Sequence, residues 1–404
     1  MSTTGQTTGT ANWTRGLSPE QAVVSALVRE QAGSLDVPLG PLLARADPVA
    51  LTTLLLRARV FPPLAARLLD APDADPPVWL TDRAEQARTV ARHRGLFQQA
   101  LLLQATAVLA GRDIPVAPLK GTTMAESLYG DLGARESADL DLLVEPDRLD
   151  EAVDALTSLG WAENRLAAPE RGLPVLHRVL EHPDKPPIEV HWRVHWYEES
   201  FAGLALRRAA VTEQGWLRLA PPDELATLLL FLARDGLAGL RQVVDVAAWW
   251  RALGRPQTTG LDTRRLADRH PALEPSLTVA ARWAESWAGL QPGSLMARRG
   301  RLTAPQRLAL RLANPWLAGE GQQVDAEVSL IDGLLAPRGQ AAAFARRRLA
   351  PPARETIMRR PTLASASAPK LLAARVGHGA RVAARYLLAV PTVLTGHRRV
   401  ARQR

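Results

Sequence analysis

Two aspartates one residue apart, Asp139 and Asp141, have the types and spacing to do chemistry. In an extended strand alternate side chains share a face, so both carboxylates project to one side while Leu140 and Leu142 project to the other. Aligned carboxylates repel unless a cation neutralises them. Their hard oxygens suit Mg²⁺ or Mn²⁺, which keeps water and substrate phosphates as further ligands. Glu189 lies between Ile188 and Val190; a carboxylate facing a core there is costly unless paired, so it is expected to join the aspartates. The third element is Lys120-Gly121-Thr122-Thr123. At a strand-to-helix junction, glycine allows close approach and free backbone N–H groups favour phosphate. Lys120 and Arg135 are candidates to neutralise phosphate charge, with a surface salt bridge as the ordinary alternative for each.

To bring these groups together, the segments that carry them must be strands of one sheet. The run 114–119 is apolar and too proline-rich for a helix interior, which predicts a strand. A short helix over 122–129, a loop over 130–137 and a second strand over 138–144 follow. Pro146 opens a helix that Gly160 ends, and after a polar loop a third strand covers 187–192. His191 projects with Glu189 in a regular strand and borders the site, whereas His195 lies beyond it. His177, His182 and Asp184 occupy a proline-containing loop without metal-ligand spacing and are assigned no role. Trp192, Trp196, Trp249 and Trp250 are expected to be buried between helices and sheet.

The flanks are helical. Ser18-Pro19-Glu20 is a capped start, with further helices over 51–56, 64–69 and 81–109, the last capped by Thr81 or Asp82. After the third strand, 222–235, 240–253 and 273–290 have helical periodicity. The expected class is α+β: a core with a small mixed sheet over 111–200, between an N-terminal helical region (18–110) and a C-terminal helical domain (201–337). Residues 1–17 are expected to be disordered, and 338–404 to form a basic, partly disordered tail.

At 404 residues the chain is long enough for two or three units. With no cysteine, disulfides, thiolate catalysis and sulfur-ligated metal sites are excluded, and a cytoplasmic location is the default. No signal peptide is evident, and no uncharged stretch reaches the roughly 18 residues of a transmembrane segment. From residue 338 onward, fourteen Arg and one Lys face the single acid Glu355, a net of +14 that leaves −5 for the rest of a chain whose total is +9. This is a mildly acidic body with a basic tail, which argues against a nucleic-acid-binding surface over the whole protein. An anionic partner for the tail is one expectation; a solvated extension is the other.

Lys-Gly at 120–121, Tyr-Gly-Asp at 129–131, Arg-x-x-x-Asp-x-Asp-Leu-Leu-Val at 135–144 and Ile-Glu-Val-His-Trp at 188–192 occur in that order. Together they resemble a family of uncharacterised bacterial nucleotidyltransferases, often encoded with natural-product or polysaccharide biosynthesis genes, within the DNA polymerase β-like superfamily. The stretch 228–250 resembles that family's helical segment after the core. The resemblance implies a nucleotidyltransferase that moves a nucleoside monophosphate from a triphosphate, ATP foremost, to a hydroxyl of a small-molecule or protein acceptor. It implies Asp139, Asp141 and Glu189 as ligands of Mg²⁺ (or Mn²⁺), and Gly121 and Thr122 at the phosphate loop. The chain departs from the superfamily's usual Gly-Ser or Gly-Gly loop, and it has Arg234-Asp235 where related segments often carry histidines. Two other readings stand beside this one: a glycosyltransferase using Asp139-Leu140-Asp141, which the helical N-terminal third argues against, and a non-catalytic binding or adaptor module of the same fold.

Overall fold

A computed structural model describes residues 12–70, 75–164, 174–253, 259–297, 300–316 and 322–402. The expectation of disorder over 1–17 lies outside the described residues up to 11. From Asn12 the chain is ordered: the Trp13 indole donates to Asp36 and stacks under the Arg29 guanidinium at 4.6 Å.

The N-terminal helices are α1 (Pro19–Ala32), α2 (Gly40–Leu43), α3 (Pro48–Arg57), α4 (Phe61–Asp70) and the long α5 (Val78–Ala110). Ser18 and Gln21 form a reciprocal capping box that starts α1, and Gly33, in the left-handed region, ends it. Helix α5 starts directly after Pro77, a turn earlier than a Thr81 or Asp82 cap would place it.

Five strands then form one mixed sheet: β1 (Ala117–Pro118), β2 (Leu140–Leu143), β3 (Ala162–Glu163), β4 (His177–Glu181) and β5 (Ile188–His191). Their order is β1-β2-β5-β4-β3, with β2 and β5 parallel and the other pairs antiparallel. The edge position of β1 is what lets Pro118 be there, since proline cannot donate to a ladder. Between β1 and β2 the chain forms α6 (Thr122–Met124), one π turn over Ala125–Tyr129 and a 3₁₀ turn. Helix α7 (Leu149–Thr157) links β2 to β3. Strands β3 and β4 fall where a polar loop is expected from sequence. β4 mixes His177, Arg178 and Glu181 with Val179 and Leu180, so it lacks a clean two-residue alternation, and pairing with β5 is what makes it a strand.

C-terminal to the sheet come α8 (Phe201–Arg208), a small hairpin of β6 (Ala210–Val211) and β7 (Leu217–Arg218), and then α9 (Pro221–Arg234), α10 (Arg241–Ala252), α11 (Thr259–Arg269) and α12 (Glu274–Trp287). Helices α13 (Ala304–Leu312), α14 (Gln322–Leu334), α15 (Ala341–Leu349), α16 (Ala353–Arg359) and α17 (Ala368–Arg402) complete the chain. The architecture is α+β, a small mixed sheet with helical flanks. Among the described residues no helix is long and apolar enough to cross a membrane.

The two faces of the sheet differ. Leu140, Leu142, Ile188, Val190 and Leu180 pack under Leu101, Leu102, Ala105 and Leu109 of α5 and Ala152, Val153 and Leu156 of α7. The opposite face looks towards α9. There a larger core runs unbroken from α1 and α4 to α9, α10 and α12, so the N-terminal and C-terminal helices are buried against each other. Trp249 lies in that core with its indole N–H on Glu224, a structural tryptophan as expected.

Candidate active site

Strand register assembles the centre. Asp141 is paired directly with Glu189 across the β2–β5 ladder, and Leu143 with His191. Alternation sends Leu140, Leu142, Ile188 and Val190 into the core and leaves Asp141, Glu189 and His191 on the α9 face. Asp139 lies just before β2, where the Ser137 hydroxyl donates to its Oδ1 at 2.9 Å. Carboxylate oxygens of Asp139, Asp141 and Glu189 lie within 4.8 Å of one another.

Lys120 follows β1, and the Leu119 N–H donating to the Asp141 carbonyl extends the β1–β2 pairing up to it. Its ammonium is 3.0 Å from Asp141 Oδ1 and 4.0 Å from Asp139 Oδ2. It also stands 4.9 Å from the centre of the Phe231 ring of α9. The His191 imidazole, fully buried, places Nε2 at 3.0 Å from Asp141 Oδ1 and 3.2 Å from Glu189 Oε2.

Burial pushes the Asp141 carboxyl up, but Lys120 and His191 more than offset it and hold the group well below the usual carboxylate range. Glu189 follows the same pattern: burial raises it, while the His191 hydrogen bond and His177 bring it below its ordinary value. Burial lowers His191, and its bonds to Asp141 and Glu189 raise it beyond its ordinary value. The site is therefore a nest of ionised carboxylates held by nearby cationic groups. Asp141 and His191 form its floor, whereas Asp139, Glu189 and Lys120 are partly open to solvent.

The donor set fits a divalent cation. Asp141 Oδ2 is buried without a hydrogen-bond partner among the described residues, and the three carboxylates offer the hard oxygens that Mg²⁺ and Mn²⁺ accept. An orphaned carboxylate oxygen in a dry site costs free energy unless a cation or water takes its lone pair.

The other sequence candidates divide. Gly121 adopts φ +82° and ψ −135°, a conformation side chains avoid, and a β-carbon there would meet Ser137 only at ordinary contact distance; backbone conformation requires this glycine, not space. The buried Thr122 hydroxyl has no hydrogen-bond partner among the described residues, and the Thr123 hydroxyl donates to the Lys120 carbonyl. Arg135 goes elsewhere. Its side chain is 2% exposed and grips both oxygens of Asp245 on α10, to which the Tyr129 hydroxyl also donates. As packed, Arg135 ties the loop before β2 to α10 and presents no charge at the surface, because a guanidinium this deep has to be paired with an acid.

Sequence reasoning missed other groups. His177 is placed by β4 opposite His191, with Nε2 at 3.8 Å from Glu189 Oε2; no spacing signal exists, because the histidine arrives through strand pairing. His182, by contrast, packs on Trp161 and accepts from the Asp184 N–H. Arg234 also lies over Phe231, with its guanidinium carbon 4.6 Å from the ring centre. Arg241, at the start of α10, is lowered by burial and by Arg135, while Asp245 and Asp139 pull it up.

No curated protein and no solved structure matches the chain. A family model described as uncharacterised nucleotidyltransferase matches residues 44–287. That span includes the α5 scaffold, the whole sheet with its acidic residues, and helices α9 to α12. It covers more than half of the chain, which therefore belongs to this nucleotidyltransferase family.

Proposed function

We propose that the protein transfers a nucleoside monophosphate from a nucleoside triphosphate, ATP foremost, to a hydroxyl of a small-molecule or protein acceptor. The observation that carries this reading is the convergence of Asp139, Asp141 and Glu189 beside Lys120 in a chain of this family. Asp139, Asp141 and Glu189 would hold Mg²⁺ or Mn²⁺, and a bound ion supplies phosphate neutralisation and a lowered acceptor pKa. The acceptor oxygen attacks the α-phosphorus, a bond forms there, and the bond to pyrophosphate breaks. The hydroxyl proton leaves through Glu189 to solvent. Lys120, already seated among the carboxylates, neutralises triphosphate charge as the substrate arrives, and the Gly121 turn lets backbone approach the phosphates. The bacterial setting, the DNA polymerase β-like ancestry, the cytoplasmic location and a role in natural-product or polysaccharide biosynthesis belong to the same proposal.

Calorimetric titration of MgATP and the other Mg-triphosphates into the protein, followed by labelled-nucleotide transfer to candidate acceptors, tests the reading. Asp139→Asn removes one ligand at a partly exposed position and is expected to lower transfer about 10³-fold, the scale of several kcal/mol of charge stabilisation. If wild type binds no triphosphate in the presence of Mg²⁺, the catalytic reading falls and the non-catalytic binding module takes its place.

A further inference from the structure

His177, Glu189 and His191 form a second group of metal-ligating side chains, each offering one donor atom within 4.8 Å of the others. The pairing that creates it is local: His177 and His191 are register partners on β4 and β5, and their ring centres are 4.7 Å apart. Glu189, two residues before His191 on β5, projects to the same face.

The separations suit an ion. With bonds of about 2.0–2.1 Å to nitrogen and oxygen, neighbouring donors around a metal lie roughly 3–3.5 Å apart. His191 Nε2 and Glu189 Oε2 are 3.2 Å apart, and His191 Nε2 and Asp141 Oδ1 are 3.0 Å apart. His177 Nε2 is 3.8 Å from Glu189 Oε2, and the three donor atoms all lie within 4.8 Å of one another, so His177 has to close in on the other two to share an ion. His177 and Glu189 are partly open to solvent, at 17% and 21%, so an ion has a way in to the buried His191.

We propose that His177, His191 and Glu189 form a nitrogen-containing metal site, adjoining the all-oxygen site through Glu189, that takes Zn²⁺ or Mn²⁺ in preference to Mg²⁺. Imidazole is a good ligand for zinc and other transition metals and a poor one for Mg²⁺. Binding exchanges the proton on His191 Nε2 for the metal, and the site thereby gains a cation where carboxylates already crowd together. The proposal rests on the nucleotidyltransferase reading only for the use of the ion in the reaction. It concerns metal alone, and so stands or falls separately.

The test uses the full chain, stripped of metal and without nucleotide, titrated with Mn²⁺ and with Zn²⁺. Pulsed electron paramagnetic resonance of the Mn²⁺ form is expected to show imidazole nitrogen coupling. That coupling should weaken in His177→Gln, which alters a partly exposed side chain and should fold, and persist in Asp139→Asn. Calorimetry should show His177→Gln losing about tenfold or more in Zn²⁺ affinity with Mg²⁺ affinity unchanged. Mn²⁺ bound without nitrogen coupling, coupling equal in wild type and His177→Gln, or no uptake of either metal would each overturn the proposal and leave His191 as a hydrogen-bond donor that positions the carboxylates. Nitrogen-coupled binding in a protein that takes no triphosphate would keep this site and remove the transferase.

Discussion

At the scale of the residue, Lys120 is the most consequential of the three lysines. Its ammonium, 11% exposed, stands beside a carboxylate that is wholly buried. Lys120→Met leaves Asp141 Oδ1 with His191 as its neighbour, and taking one partner from a buried ion pair costs about 3 kcal/mol or more. A divalent cation restores the missing charge, so millimolar Mg²⁺ or Mn²⁺ is expected to stabilise Lys120→Met more than it stabilises wild type. Urea unfolding with and without metal measures this; equal stabilisation of the two proteins would show that no ion binds where the ammonium sits. Arg135 teaches the converse. In sequence it looks like Lys120, a basic residue close to the acidic pair, yet Asp245, 110 positions away, claims it.

At the scale of the element, the loop between α6 and β2 sets where the aspartates stand, and α5 holds that loop. Asp131 accepts from Arg88 and Arg92 of α5, Gln98 of α5 donates to the Ser137 carbonyl, and Ser137 in turn donates to Asp139. This chain of hydrogen bonds runs from a helix to Asp139, a proposed metal ligand. Gly133 is the tightest point, since a β-carbon there would lie 2.5 Å from the Arg88 carbonyl oxygen. Gly133→Ala therefore drives the loop off α5. The expected cost is about 1–3 kcal/mol of stability, with nucleotide transfer reduced beyond what the folded fraction explains, because Asp139 moves with the loop. Parallel denaturation and transfer assays check it; full activity per folded molecule would show that the loop does not position Asp139. The sheet adds its own lesson. β4 is an unremarkable polar stretch until β5 offers it a ladder, and that pairing alone carries His177 to Glu189.

At the scale of the whole molecule, the sheet and the C-terminal helices meet at Glu198, a buried carboxyl that accepts from the backbone N–H groups of Val194, His195 and Ala202. Burial outweighs those bonds and raises it to about 7 from an ordinary 4.5. Between those values the folded protein holds a proton that the unfolded chain has released. Stability contributed here is present below about pH 4.5, is lost as pH rises to about 7, and is flat above. The full window is worth on the order of 3 kcal/mol. His195, lowered to about 3 by burial and by Arg234, acts with the opposite sign: its contribution is lost as pH falls from 6.5 towards 3. Glu198→Gln removes only the first effect, so relative to wild type the variant should become progressively more stable from pH 5 to 7. Thermal or urea midpoints across that range measure it; parallel pH profiles would place the Glu198 proton elsewhere. The basic end of the chain is helical in α17, where Val382 is buried while Leu372 and Val376 face solvent.

What the sequence by itself determined are the features that depend on neighbours along the chain. The capped start at Ser18, the helix expected over 222–235 and found as α9 one residue earlier, the strand containing Asp141 and the alternation that separates it from Leu140 and Leu142 follow from local propensity and two-residue or 3.6-residue periods. The acidic set was legible for the same reason, because Asp139-Leu140-Asp141 and Ile188-Glu189-Val190 are each short, strongly patterned segments. Only the tertiary structure decided which residues meet across long separations: the Asp141–Glu189 register, the seat of Lys120 between two aspartates, the capture of Arg135 by Asp245, and the arrival of His177 beside Glu189. Those outcomes depend on strand pairing and on the neutralisation of buried charge, where a partner's identity is set by the fold and leaves no period or spacing in the chain.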